Sequence, residues 1–276
     1  MINYTDTILI TDYTFSHQLI NCKDIQTKPG ETNTLKSKFS EDTLSYPEKK
    51  KSYNKWLFSV VAPKYNLVTR LLSFNRDKAW KRVLLQMIPP VGKGVILDIA
   101  SGTGDIAYGC KKRFPEAKVV ASDLSPEMVS QAPEKAKCSL PFSLQDMNHL
   151  GIKSNSVDVV CGSYALRNAP DPGICLTEIN RVLKPDGKVI LLDFAKFSNP
   201  ILSKAEFFFL YLWGALWGVV LHGNPEIYSY IAKSLNRFPD NKHIIKLFRK
   251  HGFSIRKRKF FMFGVTALYE AEKIGK

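Results

Sequence analysis

From Val95 to Ala195 the chain alternates short, almost wholly apolar runs with amphipathic ones. The apolar runs are VILDIA at 95–100, KVVASD at 118–123, VDVVCGS at 157–163 and VILLDFA at 189–195. Strands apolar on both faces can be buried only between two layers of helices, so such repeats dictate a parallel, doubly wound α/β sheet. The intervening segments supply the helices. Residues 105–113 form one, closed by Phe114-Pro115. Ser125-Pro126-Glu127 starts another, with serine as N-cap and proline in the first turn. Asp171-Pro172 starts a third, carrying Ile174, Leu176, Ile179, Val182 and Leu183 to a stop at Lys184-Pro185-Asp186-Gly187. Residues 197–238 break the alternation with an aromatic-rich helical insertion. A helix over 241–251 then leads through Gly252 to strands near 254–261 and 264–273. These two follow one another without a helix and should pair antiparallel.

The flanking regions differ in character. Residues 1–50 are polar and turn-rich and read as a flexible extension, with no basic start followed by an apolar core that would mark a secretory signal. Residues 51–276 read as one domain. Its first part, 51–90, shows helical spacing (Trp56, Leu57, Val60, Val61, then Leu67, Val68, Leu71, Leu72, then Trp80, Val83, Leu84, Met87) until Pro89-Pro90. Ten lysines and arginines fall between 49 and 82 (49, 50, 51, 55, 64, 70, 76, 78, 81 and 82) against the single acid Asp77, which reads as a basic face on amphipathic helices. With a net charge of +15, that face suits an anionic surface or a phosphorylated ligand. The longest apolar run, FFFLYLWGALWGVVL at 207–221, falls short of the roughly 20 residues a spanning helix needs and reads as a buried or interfacial helix. Five cysteines without a C-x-x-C, and histidines without an H-x-x-x-H, suggest reduced thiols in a cytosolic protein and no metal site.

The loop after the first strand, ILDIASGTGDIA at 96–107, carries the G-x-G-x-x-A spacing of a dinucleotide fingerprint in Gly102, Gly104 and Ala107. Its charges point elsewhere. A pyrophosphate would sit at the helix N-terminus, beside Asp105, and be repelled. Asp98 and Asp105 suit instead a ligand carrying a sulfonium and an ammonium and no phosphate, as S-adenosylmethionine does. Asp123 ends the second strand, where an acid can take ribose hydroxyls. Gln145-Asp146-Met147 offers the adenine a carboxylate for its amino group and a thioether for its face.

Further segments carry a resemblance. Phe58-Ser59 and Ala62-Pro63-Lys64-Tyr65, then Leu71-Leu72-Ser73-Phe74 and Trp80-Lys81-Arg82, form one motif. Leu97 to Asp105 forms the second, Tyr164-Ala165-Leu166-Arg167-Asn168 the third, the Arg181 to Gly187 turn the fourth, and Tyr228 to Ser234 the last. On these residues the chain resembles the menaquinone/ubiquinone C-methyltransferases, which methylate prenylated quinol rings. The resemblance runs from about 50 to the C-terminus. It implies a class I methyltransferase sheet of seven strands, Rossmann-like, with the last strand antiparallel. It implies cofactor contacts at Thr103, Asp123, Asp146, Met147 and Ser163, beside the glycines 102 and 104 and Asp98 of the loop. It implies catalytic-face residues at Tyr65, Asp105, Arg167 and Asn168. The sequence departs from the family on the substrate side: Asn66 stands where the family has Asp, Ala165 where it has Gly, and Ser229 where Arg is common.

The chemistry that follows is in-line methyl transfer to an electron-rich ring carbon. Arg167 with Tyr65 would stabilise the developing phenolate and Asn168 would orient it; the alternative for Arg167 is a structural ion pair with Asp105 or Asp171. Phe207, Phe208, Phe209, Tyr211, Trp213 and Trp217 of the insertion would line a channel, lie on a bilayer, or simply pack as a lid. Peripheral contact with an anionic membrane, a lipophilic substrate and a homodimer belong to this reading. Two rivals stand beside it: a natural-product methyltransferase acting on a terpenoid, prenyl diphosphate or aromatic scaffold, and an RNA methyltransferase. Against the last, no nucleic-acid partner is expected, because Ser163-Tyr164-Ala165-Leu166 stands where base-modifying enzymes carry Asn/Asp-Pro-Pro-aromatic and no RNA-binding motif is present.

Overall fold

In the computed structural model, residues 19–20 and 39–275 are described. Most of the polar extension therefore lies outside the described residues. The strands are β1 (Leu19–Ile20), β2 (Val95–Ile99), β3 (Lys118–Asp123), β4 (Phe142–Leu144), β5 (Val157–Ser163), β6 (Leu183–Phe194), β7 (Phe253–Phe261) and β8 (Thr266–Lys273). They form one sheet in the order β1-β4-β3-β2-β5-β6-β8-β7. The five strands from β4 to β6 in that order are parallel, and β8 runs antiparallel to both β6 and β7. This is the seven-stranded sheet the resemblance implies, with the two-residue β1 added antiparallel on β4.

Period-2 alternation divides each central strand between two cores. Ile96, Val119, Val159, Ile190 and Leu268 face one helical layer with Leu84, Ile106 and Cys110. Leu97, Val120, Val160, Val189 and Tyr269 face the other with Leu176, Ile179 and Phe248. The helices are α1 (Pro47–Val61), α2 (Tyr65–Leu72), α3 (Asp77–Met87), α4 (Asp105–Arg113), α5 (Pro126–Ser130), α6 (Glu134–Lys137), α7 (Pro172–Val182), α8 (Pro200–His222), α9 (Glu226–Arg237) and α10 (His243–Lys250). Their starts follow local chemistry. Ser125 accepts from the Met128 amide and Asp171 from those of Gly173 and Ile174, each with proline in the first turn. One boundary moved. β6 begins at Leu183 rather than 189, because Leu183 pairs with Val157 before the Pro185-Asp186 turn shifts the register. Asp186 takes a left-handed φ of 60° there.

The N-terminal helices turn most of their basic face outward, with three exceptions. Seven of the ten cations between 49 and 82 are exposed; Lys50 and Lys81 are buried and Lys51 half-buried. These three belong to the site described below. Tyr53, Trp56, Leu57, Val61 and Val68 form a third core with Ile227, Tyr228 and Tyr230 of α9, and so α1, α2 and α9 roof the sheet together.

The insertion is an antiparallel helix pair. α8 is longer than the apolar run within it, because Asn199 caps it by accepting from the amides of Ile201 and Leu202, and Gly223 closes it in left-handed geometry. It is long and apolar enough to cross a membrane by length and composition alone. Only a stripe of it is buried: Glu206, Leu210, Gly214 and Gly218, spaced four apart. A Cβ on Gly214 would lie 2.5 Å from the Tyr228 carbonyl oxygen, and one on Gly218 would lie 2.4 Å from that of Asn224. The two glycines thus let α8 lie directly on the backbone of α9. We expect Gly218→Val to cost about 2–3 kcal/mol through this overpacking, read as a lowered urea midpoint; an unchanged midpoint would refute the close approach.

Candidate active site

The loop from Ala100 to Asp105 is held from beneath. Asp98 is wholly buried at the end of β2, and its Oδ2 accepts from the Ala107 amide at 2.9 Å, inside the first turn of α4. Gly104 must take φ +77°, and a Cβ there would meet the Phe142 ring at 2.9 Å. Ala100 is left-handed as well, at φ 47°. Burial pushes the Asp98 carboxyl up to about 8, against the opposing pull of the Ala107 amide. A carboxyl held there is largely protonated at neutral pH. This side chain braces the loop from behind through the Ala107 amide.

A polar cavity opens in front of it, lined by Gly102, Asp123, Gln145, Asp146, Met147 and Ser163, with Lys51, Phe58 and Tyr65 from the roof. Asp123 accepts from the Gly102 amide at 2.7 Å through one oxygen and from the Ser125 amide at 2.8 Å through the other. Asp146 forms an ion pair with Lys51 of α1 at 2.7 Å. Of the eight residues expected to hold the cofactor, five (Gly102, Asp123, Asp146, Met147, Ser163) line this cavity. Asp98, Thr103 and Gly104 are buried behind it.

A second, apolar cavity abuts the first. Its walls are Leu57, Val61, Val68 and Leu72 from α1 and α2, Ile227 and Ile231 from α9, and Phe194 from the end of β6. Phe58, Tyr65, Tyr164 and Asn168 line both cavities. They form the partition across which a group could pass from one to the other. Burial pushes the Tyr65 phenol up to about 12, so it stays protonated at neutral pH and can donate a hydrogen bond.

Arg167 stands at the wall of the apolar cavity with 4% of its surface exposed. Its Nε lies 3.7 Å from Asp193 of β6, and its backbone amide donates to the same carboxylate at 2.9 Å. Its guanidinium also donates to Ser234 and sits 5.2 Å from the centroid of the Phe194 ring. The partner of this arginine is thus Asp193, neither Asp105 nor Asp171. Asp171 caps α7, and Asp105 begins α4 with its exposed side chain turned toward α3, lining neither cavity. Asn168 donates to the Tyr164 carbonyl at 2.8 Å, while its own buried Oδ1 has no protein partner. That leaves an acceptor for a ligand hydroxyl or amine.

Lys50, Asn54 and Asp77 belong to the site although they carried no sequence motif. Lys50 donates to the carbonyls of Arg167 at 2.8 Å and Ala169 at 2.5 Å. Asn54, one turn on, donates to the Asn168 carbonyl at 2.7 Å and accepts from Tyr230 at 2.6 Å. Burial, helped by the neighbouring Arg167 charge, brings the Lys50 ammonium down to about 8. Tyr164, left-handed at φ 59°, donates to Asp77 at 2.8 Å. Asp77 pairs with Lys81 at 2.9 Å, and Lys81 reaches Asp105 at 3.4 Å. The i, i+4 spacing of Asp77 and Lys81 was the one available signal, and the cation-rich context hid it.

A mixed sheet with a glycine loop after its first parallel strand, an acid ending the next, and a polar cavity at the strand C-termini define a class I S-adenosylmethionine-dependent methyltransferase. The fold agrees: a Haloferax volcanii methyltransferase solved with the Trm112 methyltransferase activator superposes with a TM-score of 0.58 at 18% identity, covering 79% of this chain and 98% of that one. The model of the ubiE/COQ5 methyltransferase family matches residues 47–273, and the chain belongs to that family. Among curated relatives, the ubiquinone/menaquinone biosynthesis C-methyltransferase UbiE of Dinoroseobacter shibae is 33% identical over 225 residues, 79% of this chain and 89% of the relative. The demethylmenaquinone methyltransferase of Deinococcus radiodurans is 32% identical over 222 residues, 79% and 91% respectively.

The raised Asp98 sets a pH signature. The folded state binds a proton at this site that the unfolded chain, with an ordinary carboxyl, releases near pH 4. Stability from this group is therefore present below the unfolded value and is lost as pH rises toward about 8. Without cofactor, the melting temperature should fall between pH 5 and 8.5, and fall less steeply in Asp98→Asn. Parallel profiles for the two proteins would remove Asp98 from this role.

Proposed function

We propose that this protein methylates a ring carbon of a prenylated quinol in quinone biosynthesis, with residues 51–276 as the catalytic domain and residues 1–50 as an extension. The observation that carries the reading is the partition: a polar cavity suited to the methyl donor shares Phe58, Tyr65, Tyr164 and Asn168 with an apolar cavity that has a guanidinium in its wall. The names of the curated relatives support the same chemistry.

The residues present fit S-adenosylmethionine. Gly102 leaves room at the cavity floor, where a Cβ would meet Met128 at 3.0 Å. Asp123 would take the ribose hydroxyls, Asp146 the adenine amino group after parting from Lys51, and Met147 the purine face. Gly102 and Ser163 would border the amino-acid end, with Asp98, Thr103 and Gly104 fixing the shape of the loop. When bound, the cofactor supplies an electrophilic methyl group. The protein's own contribution is positioning and charge.

The quinol ring would enter between Leu57, Val61 and Ile227 and stop against Arg167. The ring hydroxyl gives its proton to water, and the negative charge left on that oxygen makes the ring carbon nucleophilic. As the carbon attacks, that charge flows into the ring, and the methylated carbon then loses its own hydrogen to water as a proton, restoring the aromatic ring. Arg167 is always protonated and cannot serve as the base. It stabilises the phenolate electrostatically, and Tyr65 donates a hydrogen bond to it. Asn168 accepts through its unpartnered Oδ1 and fixes the ring's angle. Asp105 acts at a distance, anchoring the Lys81–Asp77 pair that holds Tyr164. Asp193, already paired to Arg167, offsets the cost of burying the cation before substrate arrives. The cavity also separates this reading from a prenyl diphosphate acceptor. Among the described residues lining it, Arg167 is the one cation, and two phosphates would call for more. In Arg167→Met we expect kcat to fall by about 10²–10³ with cofactor affinity by calorimetry unchanged. Full turnover in that variant would reduce the arginine to a structural ion pair.

The outer face of α8 supports peripheral attachment to an anionic membrane. Ile201, Leu202, Phe208, Phe209, Leu212, Leu216, Val219 and Val220 are exposed, more contiguous apolar surface than a face turned to water usually shows. Among the exposed cations, Lys204 lies on α8 itself and Lys64 donates to the Leu221 carbonyl near its C-terminal end. The wild type should float with vesicles containing anionic phospholipid, and Leu212→Glu/Leu216→Glu should remain in solution while methylating a detergent-dispersed quinol normally. A wild type that ignores vesicles and sediments as a dimer would assign the face to a homodimer instead.

A further inference from the structure

A groove runs from the apolar cavity to the surface beside α8. Its walls include Phe74 and Trp80 from the start of α3 and the turn before it, Leu202 and Phe209 from α8, and Met262 and Phe263 from the turn between β7 and β8. Ser73, Trp80 and Met262 line the groove and the acceptor cavity alike, so the two adjoin across these side chains. The groove has a volume of about 850 Å³.

Its rim is built at a cost. Phe74 and Asn75 on one side, and Met262 and Phe263 on the other, all lie in the left-handed region, with φ between 49° and 60°. Each such non-glycine residue costs on the order of 1 kcal/mol or more. Phe263 is fully exposed and gains no burial in return within the fold. Phe74, half-exposed, stacks on Trp213 of α8 at 5.0 Å between centroids, and Phe209 lies parallel to the same indole at 6.5 Å. Trp80 stacks on Phe261 at 5.7 Å. At the base, Glu206 accepts from the Phe197 amide at 3.2 Å and burial pushes its carboxyl up to about 7, while Arg76 lines the groove at its exposed side.

We infer that this groove is the binding site for the isoprenoid tail of the substrate, leading it from the ring in the acceptor cavity out onto the apolar face of α8. The inference rests on the quinol reading above and adds the path of the tail. Strained, exposed aromatics at the rim give a polyprenyl chain planar walls to lie between, and the groove adjoins the acceptor cavity at Ser73, Trp80 and Met262, the end from which the tail would leave the ring. Leu202 and Phe209 belong both to the groove and to the exposed face. A tail leaving there passes from protein to lipid without crossing water.

The test uses the full chain with two naphthoquinols in detergent micelles, one bearing a single isoprene unit and one bearing four. Ala205 lines the groove from the exposed side of α8, so Ala205→Trp fills the groove without touching the core. For the four-unit quinol, the wild type should show a KM lower by about tenfold or more than for the one-unit quinol. Ala205→Trp should abolish that difference and leave the one-unit kinetics as they were, whereas Ala205→Ser should behave as wild type. If both quinols are methylated without length dependence, or if Ala205→Trp weakens both equally, the groove is not the tail site. Methylation of neither by a wild type that binds S-adenosylmethionine would overturn the quinol reading itself, and the tail path with it.

Discussion

Lys50 reaches from α1 to the turn after β5 and donates to two of its carbonyls, those of Arg167 and Ala169. The turn carries Tyr164, Arg167 and Asn168, which together border both cavities. Tyr164 is held there in left-handed geometry, and within the turn the Ala165 carbonyl accepts from the amides of Asn168 and Ala169. An ammonium with three donors can satisfy several at once. Asn54 takes the next carbonyl, and Tyr230 of α9 holds Asn54. The roof of the site and its reactive turn are therefore one hydrogen-bonded unit. The low effective dielectric that strengthens these bonds also makes their loss costly.

The same economy appears on the sheet side. Asp193 ends β6 and receives both the backbone and the guanidinium of Arg167, so one carboxylate sets the position and the charge state of the site. Asp77, Lys81 and Asp105 form the matching chain beneath Tyr164. Polar groups buried in pairs leave the apolar cavity free of uncompensated charge, which a greasy ring requires.

The helix pair illustrates how a surface can be apolar without being disordered or aggregated in the fold. α8 gives one narrow stripe to α9, made close by Gly214 and Gly218, and leaves the rest outward. Ser229 lies buried under that contact, its amide within 2.9 Å of a Cβ at Gly214. A larger side chain that had to leave this spot would press on the helix above it.

By itself the sequence determined the layers and the class. Continuous apolar strands, proline and glycine punctuation and caps such as Ser125 and Asp171 fix βα units locally, and the right-handed crossover leaves few ways to arrange them. The glycine loop, Asp123, Asp146 and Met147 were legible for the same reason: they sit at fixed offsets from strand ends. What only the tertiary structure decided was which charges are buried and with whom. Nothing in a run of ten cations separates Lys50 and Lys81 from their exposed neighbours, because their partners lie 117 residues away in the case of Arg167 and 24 away in the case of Asp105. Nor could the sequence show that Asp98 faces inward beneath the loop, that Arg167 belongs to Asp193, or that the aromatic insertion turns most of its rings away from the cavities. Periodicity reports that a helix has an apolar face; the direction of that face depends on contacts that close across the whole chain.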